Sequence, residues 1–576
     1  MSLTGTLHIG RSALVASQIG VQVTGNNIAN VATPGYSRQV AHLAGLAGQS
    51  DGRLYVGRGV MVAEVQRQID MALQGRIWSG VSSEAAWAQT HSTLAQLEAI
   101  LGELGEQNLS GELSAFFGSW SEAANGRRSA ALVVQQGVRL AEFVRGRREE
   151  LSRLRSQSER QMGAAVEQAD RLLGEVADLN RRIADAEVGG VVAGALRDQR
   201  DQLITELSRY ADVSTVERGG QMDVLIGSTP VVLGATSRGL TVRRETINGQ
   251  AVVRVATRAD GQALEVREGQ LGALLNGRDG SIDRVIADLD RLASSLIFEV
   301  NRIHSTGANA SRLTSASGTL GIAAADRTRA LNDPANATFA SLPFRAVHGG
   351  FTVDVRDPNT GALTSVRIQV DLDGINNSGL PGTGDDTTPE QIRAALDAIP
   401  GLSATFGPDG RLRVTADSGL DFSFRDDTSG VLAVLGVNAY FTGKSAADIG
   451  VREELRADPN LLMLGRFDGT ALIENGTALA MVALQDRRLA SLNDRTLGGM
   501  WSDTAQRVGS ETASARSAAL AAGVVRESLD AQRSAISGVN LDEEAINLMN
   551  FQRQYQGAAR LIGVADQMFQ TLMSLV

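Results

Sequence analysis

The chain has 576 residues, no cysteine, a formal net charge of -10 and only 4% aromatic residues. This length suggests roughly three to five structural units, and the lack of cysteine excludes disulfide, thiolate-metal and Cys-nucleophile chemistry. Acidic and basic residues are mixed along the chain, so there is no basic groove and no nucleic-acid partner is expected. Apolar residues make up 43%, enough to bury cores. No run of about 18 of them occurs, so no membrane insertion is expected. The first residues lack a charged stretch followed by an apolar core, so no conventional cleaved signal is expected.

The first predicted element is a helix. Leu7, Leu14, Val21 and Ile28 repeat every seven residues, with Leu3 one turn before them. Gly10, Gly20 and Gly25 interrupt it, each weakening a helix by roughly 1 kcal/mol relative to alanine, so alone the helix is marginal. Asn26, Asn27 and Asn30 close it, and Thr33, Pro34, Gly35, Tyr36, Ser37, Arg38 and Gln39 form a stop and a bend. Residues 40–68 alternate loosely between Gly-rich turns, as a hairpin or extended arm does.

From 69 to 210 the pattern is helical. One very long helix is predicted over about 129–187, carrying Leu151, Leu154, Val166, Leu173, Val176 and Ile183. Its charged run, Arg145 to Glu150, reads as a solvated face. A further helix over 195–210 is expected to turn Arg197, Asp198, Arg200 and Asp201 outward. Short strands follow over 211–270, then a helix to His304, then an Ala/Ser/Thr/Asn-rich linker over 305–345. A second strand-rich stretch has strands at Phe351–Val355, Val366–Val370, Leu402–Phe406, Leu412–Ala416 and Leu420–Phe424, a helix at Pro389–Ala398 and a hairpin turn at Pro408-Asp409-Gly410. Helix is expected to resume near Ala446 and continue, with breaks, to the tail.

The tail is the strongest signal. Leu541, Leu548, Tyr555, Ile562 and Phe569 form one seven-residue column, and Phe551, Ala558, Ala565 and Leu572 lie beside it. Such a stripe seeks another helix. At 1.5 Å per residue the rod is roughly 50 Å long. Asn540 caps it, and Glu543 and Glu544 favour its N-terminus. Its natural partner is the N-terminal helix, within one chain or between chains.

The fold class expected is α+β and multidomain, with terminal helices pairing as a coiled coil, a long-helix bundle and two β-rich outer units, one inserted. The boundaries are 1–40 with 541–576 for the terminal coiled coil, and 41–210 with 271–345 and 446–540 for the bundle. A small β unit at 211–270 packs on the bundle, and 346–445 is the inserted outer domain.

Chemistry-bearing motifs are sparse. His8, His42, His91, His304 and His348 show no ligand spacing. Asp371-Leu372-Asp373-Gly374 is similar to part of a calcium loop, but the third position and the closing Glu are out of register. Asp385 and Asp386 could add oxygens; the plainer reading is a strand ending in an acidic turn. No P-loop, Gly-x-Ser-x-Gly or dinucleotide fingerprint occurs. No catalytic residue, cofactor or metal ligand is predicted, and no enzyme is expected.

Asn26-Asn27-Ile28-Ala29-Asn30 followed by Thr33-Pro34-Gly35-Tyr36-Ser37-Arg38-Gln39 resembles the N-terminal signature of the bacterial flagellar rod and hook axial proteins. Ser537 to Glu544, Phe551 to Gln556 and Ala565 to Leu572 resemble their C-terminal signature, together covering about 75 residues at the two ends. Ala32 departs from the Asn of many relatives. The Tyr36–Gln39 ending and the Gly538–Glu544 run point to a hook–filament junction member. The resemblance implies a structural ring built through the terminal helices and assembled with copies of itself, the hook protein and the next hook-associated protein towards the filament. It also implies export through the flagellar channel to an extracellular position, with a cytoplasmic chaperone covering the C-terminal stripe. Two alternatives stay open: another axial protein such as the hook protein, and an adhesin acting through 346–445.

Overall fold

The computed structural model describes the chain except residues 1–2, 52–53, 104, 106, 127–129, 191, 248–249, 311 and 575–576. The fold is α+β, 54% helical and 18% strand. It divides into two compact units, one of residues 1–93, 157–280 and 512–576, the other of 94–156 and 281–511.

In the first unit the N-terminal helix spans Leu3–Ala29 and the C-terminal helix Leu541–Ser574. The arm is a hairpin, Gln39–Gly45 antiparallel to Val60–Arg67, with a bulge between His42 and Leu43. The long helix runs Ala130–Ala186, and its C-terminal part lies in this unit. Met162, Val166, Leu173 and Val176 from this part meet Ile204 and Leu207 of the helix Gly194–Ser208. Met222, Val224 and Ile226 close the core from a four-stranded antiparallel sheet formed by Val213–Ser237. Asn180, fully buried, pins sheet to helix. Its Nδ2 donates to the carbonyls of Met222 and Gly234 at 2.8 and 2.7 Å, and its Oδ1 accepts from Met222 N–H.

The helix Gly194–Ser208 corrects one expectation. Asp198, Arg200 and Asp201 point inward: Arg200 is completely buried, and the two aspartates are nearly so. Burial of these charges is compensated within the fold. Arg67, from the arm, bridges both carboxylates at 2.8 Å, and Arg200 donates to Gly220 O at 2.9 Å. Only Arg197 keeps partners nearer the surface, pairing with Glu187 and Glu217.

The second unit holds two three-stranded antiparallel sheets. One orders Leu363–Val370, Gly349–Arg356 and Asp421–Arg425; the other orders Ser315–Ser317, Leu412–Ala416 and Leu402–Phe406. Phe351, Val353, Phe422 and Phe424 fill the space between them with Ile392 and Leu396 of the helix Pro389–Asp397. A reciprocal cap of Thr388 and Gln391 starts that helix. The stretch read as a linker is part of this core: Ala316, Ile322, Leu331 and Phe339 are all buried in it. Small polar residues there supply turns and caps, not slack.

The helix expected from Ala446 does not form at once. Short strand pairs, turns, the five-residue helix Glu453–Ala457 and a 3-10 turn at Pro459–Leu461 fill the stretch up to the helix Gly476–Asp486, and the next long helix spans Leu497–Ser537. Gly443, Gly465 and Gly469, with Pro459 among them, break the chain there. Tyr440 and Phe441 close an aromatic cluster with Phe116 and Trp120, and Tyr440 O–H donates to Val133 O at 2.8 Å. Four members of the charged run on the long helix are paired: Arg147 with Glu150, Arg148 with Asp290, Glu149 with Arg153.

Candidate assembly site at the paired chain ends

The N- and C-terminal helices pack against each other, antiparallel, within one chain. The register is set by glycine. A Cβ on Gly10 would lie 2.6 Å from Ile562, and one on Gly20 would lie 2.5 Å from Phe551. Neither distance is tolerable, so the glycines that weaken the isolated helix permit its close approach to the partner. Ala16, Ser17 and Thr24 on one helix and Ala558 and Ala565 on the other complete a seam of small residues.

The predicted stripes flank this seam. Leu3, Leu7, Leu14, Val21 and Ile28 are half-buried, as are Leu548, Phe551 and Ile562. Leu541, Tyr555, Phe569 and Leu572 are not brought in; they stay 44–52% exposed. Ile546, Met549, Val564 and Met568 are 50–57% exposed on the same helix. These residues leave large apolar side chains on the helix uncovered by its own chain.

The motif after the N-terminal helix ties both ends together. Asn27 uses its full hydrogen-bonding capacity. Its Nδ2 donates to Gln39 O at 2.9 Å and to Glu544 Oε2 at 3.0 Å; its Oδ1 accepts from Tyr36 O–H at 2.8 Å and Gln39 N–H at 3.0 Å. Glu544, only 2% exposed, also receives Arg38 at 2.8 Å, and Arg38 reaches Glu543 at 3.3 Å. The backbone N–H of Arg38 donates to Ser537 O at 3.0 Å. Asn26, Asn30 and Thr33 form a smaller set of contacts nearer the surface, with Asn30 donating to Asn26 O and Thr33 to Asn30 Oδ1. Pro34 is exposed, and Gly35 turns the chain at φ +81°, a conformation that favours glycine.

Ser37 N–H then donates to Asp198 Oδ2 at 3.2 Å, connecting the motif to the Arg67–Asp198–Asp201 group. The electrostatics follow from burial. The Tyr36 hydroxyl is pushed up to about 12 by burial and by the nearby Asp198 and Glu544 charges. Burial raises Asp198 above the usual carboxylate range against the pull of Arg67. Burial works against the Arg67 cation too, but Asp201 and Asp198 outweigh it and hold its pKa above the ordinary value.

Sequence reasoning missed Glu544 as a buried partner, Arg67, and the inward charges at 198–201. The seven-residue column passes beside Glu544, and an acidic residue at a helix start reads as a favourable helix-end charge. The available signal was the pairing of Gly10 and Gly20 with bulky residues in reverse order.

This site holds charges fixed, and what it builds is a seam and an open apolar face. Residues 7–36 match the flagella basal body rod protein family, 531–575 the C-terminal part of the flagellar basal body rod FlgEFG protein, and 94–319 the helical domain of flagellar hook-associated protein FlgK. The chain is 25% identical to flagellar hook-associated protein 1 of Salmonella typhimurium over 600 residues, covering all of both chains. It is 22% identical to that of Bacillus subtilis over 588 residues, covering 99% of this chain and 97% of the other. Among solved structures, the flagellar hook junction protein FlgK from Burkholderia pseudomallei aligns with a TM-score of 0.48 at 14% identity, over 80% of this chain and all of that one. The matched models are rod and hook-associated proteins of the bacterial flagellum, and the relatives matched over their full length are flagellar hook-associated protein 1. Together these matches support a structural hook–filament junction component of the flagellum.

Proposed function

We propose that the chain works as a subunit of the ring joining hook to filament, polymerising through its terminal helices. The observation that carries this is the C-terminal helix: paired on one face, it leaves Ile546, Met549, Val564, Met568, Phe569 and Leu572 about half exposed. Burying that face between neighbouring subunits supplies the drive, at about 25 cal/mol per Å² of apolar surface.

On this reading the segments 1–40 and 541–576 line the inner tube, the helical segments form a surrounding bundle, and the β-rich stretches 211–270 and 346–445 project outward. Its neighbours are copies of itself, the hook protein and the next hook-associated protein towards the filament. Before assembly the same apolar face suits a cytoplasmic export chaperone, and the subunit leaves the cell through the flagellar channel. Its work is mechanical, with no catalytic step.

The test is Val564→Asp combined with Met568→Asp. Cells carrying this variant are expected to make hooks without filaments, while the purified variant melts as wild type does. Filaments growing on such junctions would refute the reading.

A further inference from the structure

Carboxylates elsewhere in the β core of the second unit are answered. Asp354 meets Arg425 at 2.8 Å, Asp421 meets Arg356 and Asp397 meets Arg393. The loop before the helix Pro389–Asp397 is different. Asp386 there is 2% exposed, with no basic side chain paired to it among the described residues. Its Oδ2 accepts from Asn332 Nδ2 at 2.7 Å, but its Oδ1 is buried without a donor. The Asn332 side-chain carbonyl and Asp385 Oδ1 are buried without donors as well.

The three atoms lie on neighbouring residues. Asn332 touches Asp386, and its bond to Oδ2 fixes which way its amide faces. Asp385 is the adjacent residue. A single trapped water has two protons to give and cannot satisfy three acceptors, two of them on carboxylates. A buried anion without a donor is costly unless a cation meets it. The surroundings add negative potential: Thr387 exchanges hydrogen bonds with the backbone of Asp371 at 2.8 Å, which brings Asp371, and with it Asp373, next to the same loop.

We propose that this loop binds a divalent cation of the calcium class, held by Asp386 Oδ1, Asp385 Oδ1 and Asn332 Oδ1. Such hard cations take about six to eight oxygens from carboxylates, amide carbonyls, backbone and water, and tolerate irregular geometry. The acidic sequence around Asp371 marks the neighbourhood, while the buried oxygens lie on the 332 and 385–386 loops. The inference stands apart from the assembly reading.

The experiment is calorimetric titration of the EDTA-treated full-length chain with calcium chloride, alongside melts in calcium and in EDTA. The expected result is one calcium per chain and a higher Tm in calcium. Asp386→Asn is expected to lose both effects. Asp385→Asn, at a half-exposed position where core packing is unaffected, is expected to lose them too, and it decides the matter if the first variant misfolds. Absence of heat and of a Tm shift at millimolar calcium would overturn the proposal. So would a calcium response retained in the folded variants. A response lost only in Asp371→Asn would assign the ion to the exposed group of His348, Asp371 and Asp373, whose ligand atoms lie within 4.8 Å of one another, and would equally overturn it.

Discussion

The β core of the second unit and the paired chain ends use apolar residues in opposite ways. Phe351, Val353, Phe422 and Phe424 are completely buried, so that core has spent its apolar surface internally. The C-terminal helix keeps Leu572 at 52% and Met568 at 57% exposure while burying Ala558 and Ala565. Large residues inside and small ones at the surface make a finished domain. Small residues at the seam with large ones outside make a part that is finished by its neighbours.

The largest break in this comparison comes from choosing which face of the tail to charge. Leu548→Asp with Ile562→Asp strikes the seam, since Ile562 sits against Gly10. It is expected to abolish assembly and also to unpair the two ends in the monomer, read as loss of amide protection over 3–29 and 541–574. Val564→Asp with Met568→Asp is expected to abolish assembly with that protection intact. Equal protection in both variants would show that the seam does not hold the ends.

Next in size is Glu544→Ala. It leaves Arg38 and the Asn27 amide facing a void where a carboxylate stood. Breaking a buried pair costs about 3–5 kcal/mol, and the part exposure of Arg38 lowers this to about 2–3 kcal/mol. Proteolysis at 30–38 in the monomer should accelerate by the corresponding factor, and unchanged cleavage would count against the tie. Gly20→Ala follows, at about 1–3 kcal/mol of lost pairing, because its Cβ must displace the Phe551 ring. The same exchange assay measures it.

Much of this architecture is legible in local pattern. Alternation places the strands at 351–355, 366–370, 402–406 and 412–416 within a few residues of those observed, and heptad spacing finds both terminal helices. What is not legible is long-range compensation. Asp198 and Asp201 read as solvated because no nearby residue announces Arg67, more than a hundred positions earlier. Asn27 and Glu544 are 517 residues apart. Local reading also treats Gly20 as a weakness, since the benefit of its missing Cβ exists only against Phe551. Burial of charge and use of glycine are properties of pairs, and a pattern along one segment carries only half of each pair.

A pH series separates the two regions. His304 lies fully buried in the second unit, its Nδ1 2.7 Å from Asn438 O and its Nε2 accepting from Met463 N–H at 3.2 Å. Burial pushes its pKa from 6.5 down to about 3. The unfolded chain therefore takes up the proton first. The stability of the neutral ring is complete above the unfolded value and is lost as pH falls towards the folded one, at about 1.4 kcal/mol per pH unit. The melt of this unit is expected to weaken between pH 6.5 and 4.5 more steeply in wild type than in His304→Gln. Parallel curves would assign the acid sensitivity to other groups.

The smallest effect is the most discriminating about glycine. Gly25 sits in the same helix as Gly20 and is exposed, and a Cβ there meets nothing within 4 Å. If glycine served the helix as such, Gly25→Ala and Gly20→Ala would act alike. The close approach at Phe551 predicts opposite signs. Gly25→Ala should stabilise the helix by about 0.5–1 kcal/mol, since alanine restricts the unfolded chain and fits the helical backbone without strain. Exchange protection over 3–29 should rise in this variant and fall in the other. A fall in both would mean that the helix needs flexibility near its asparagine-rich end, and that the seam is not the reason for its glycines.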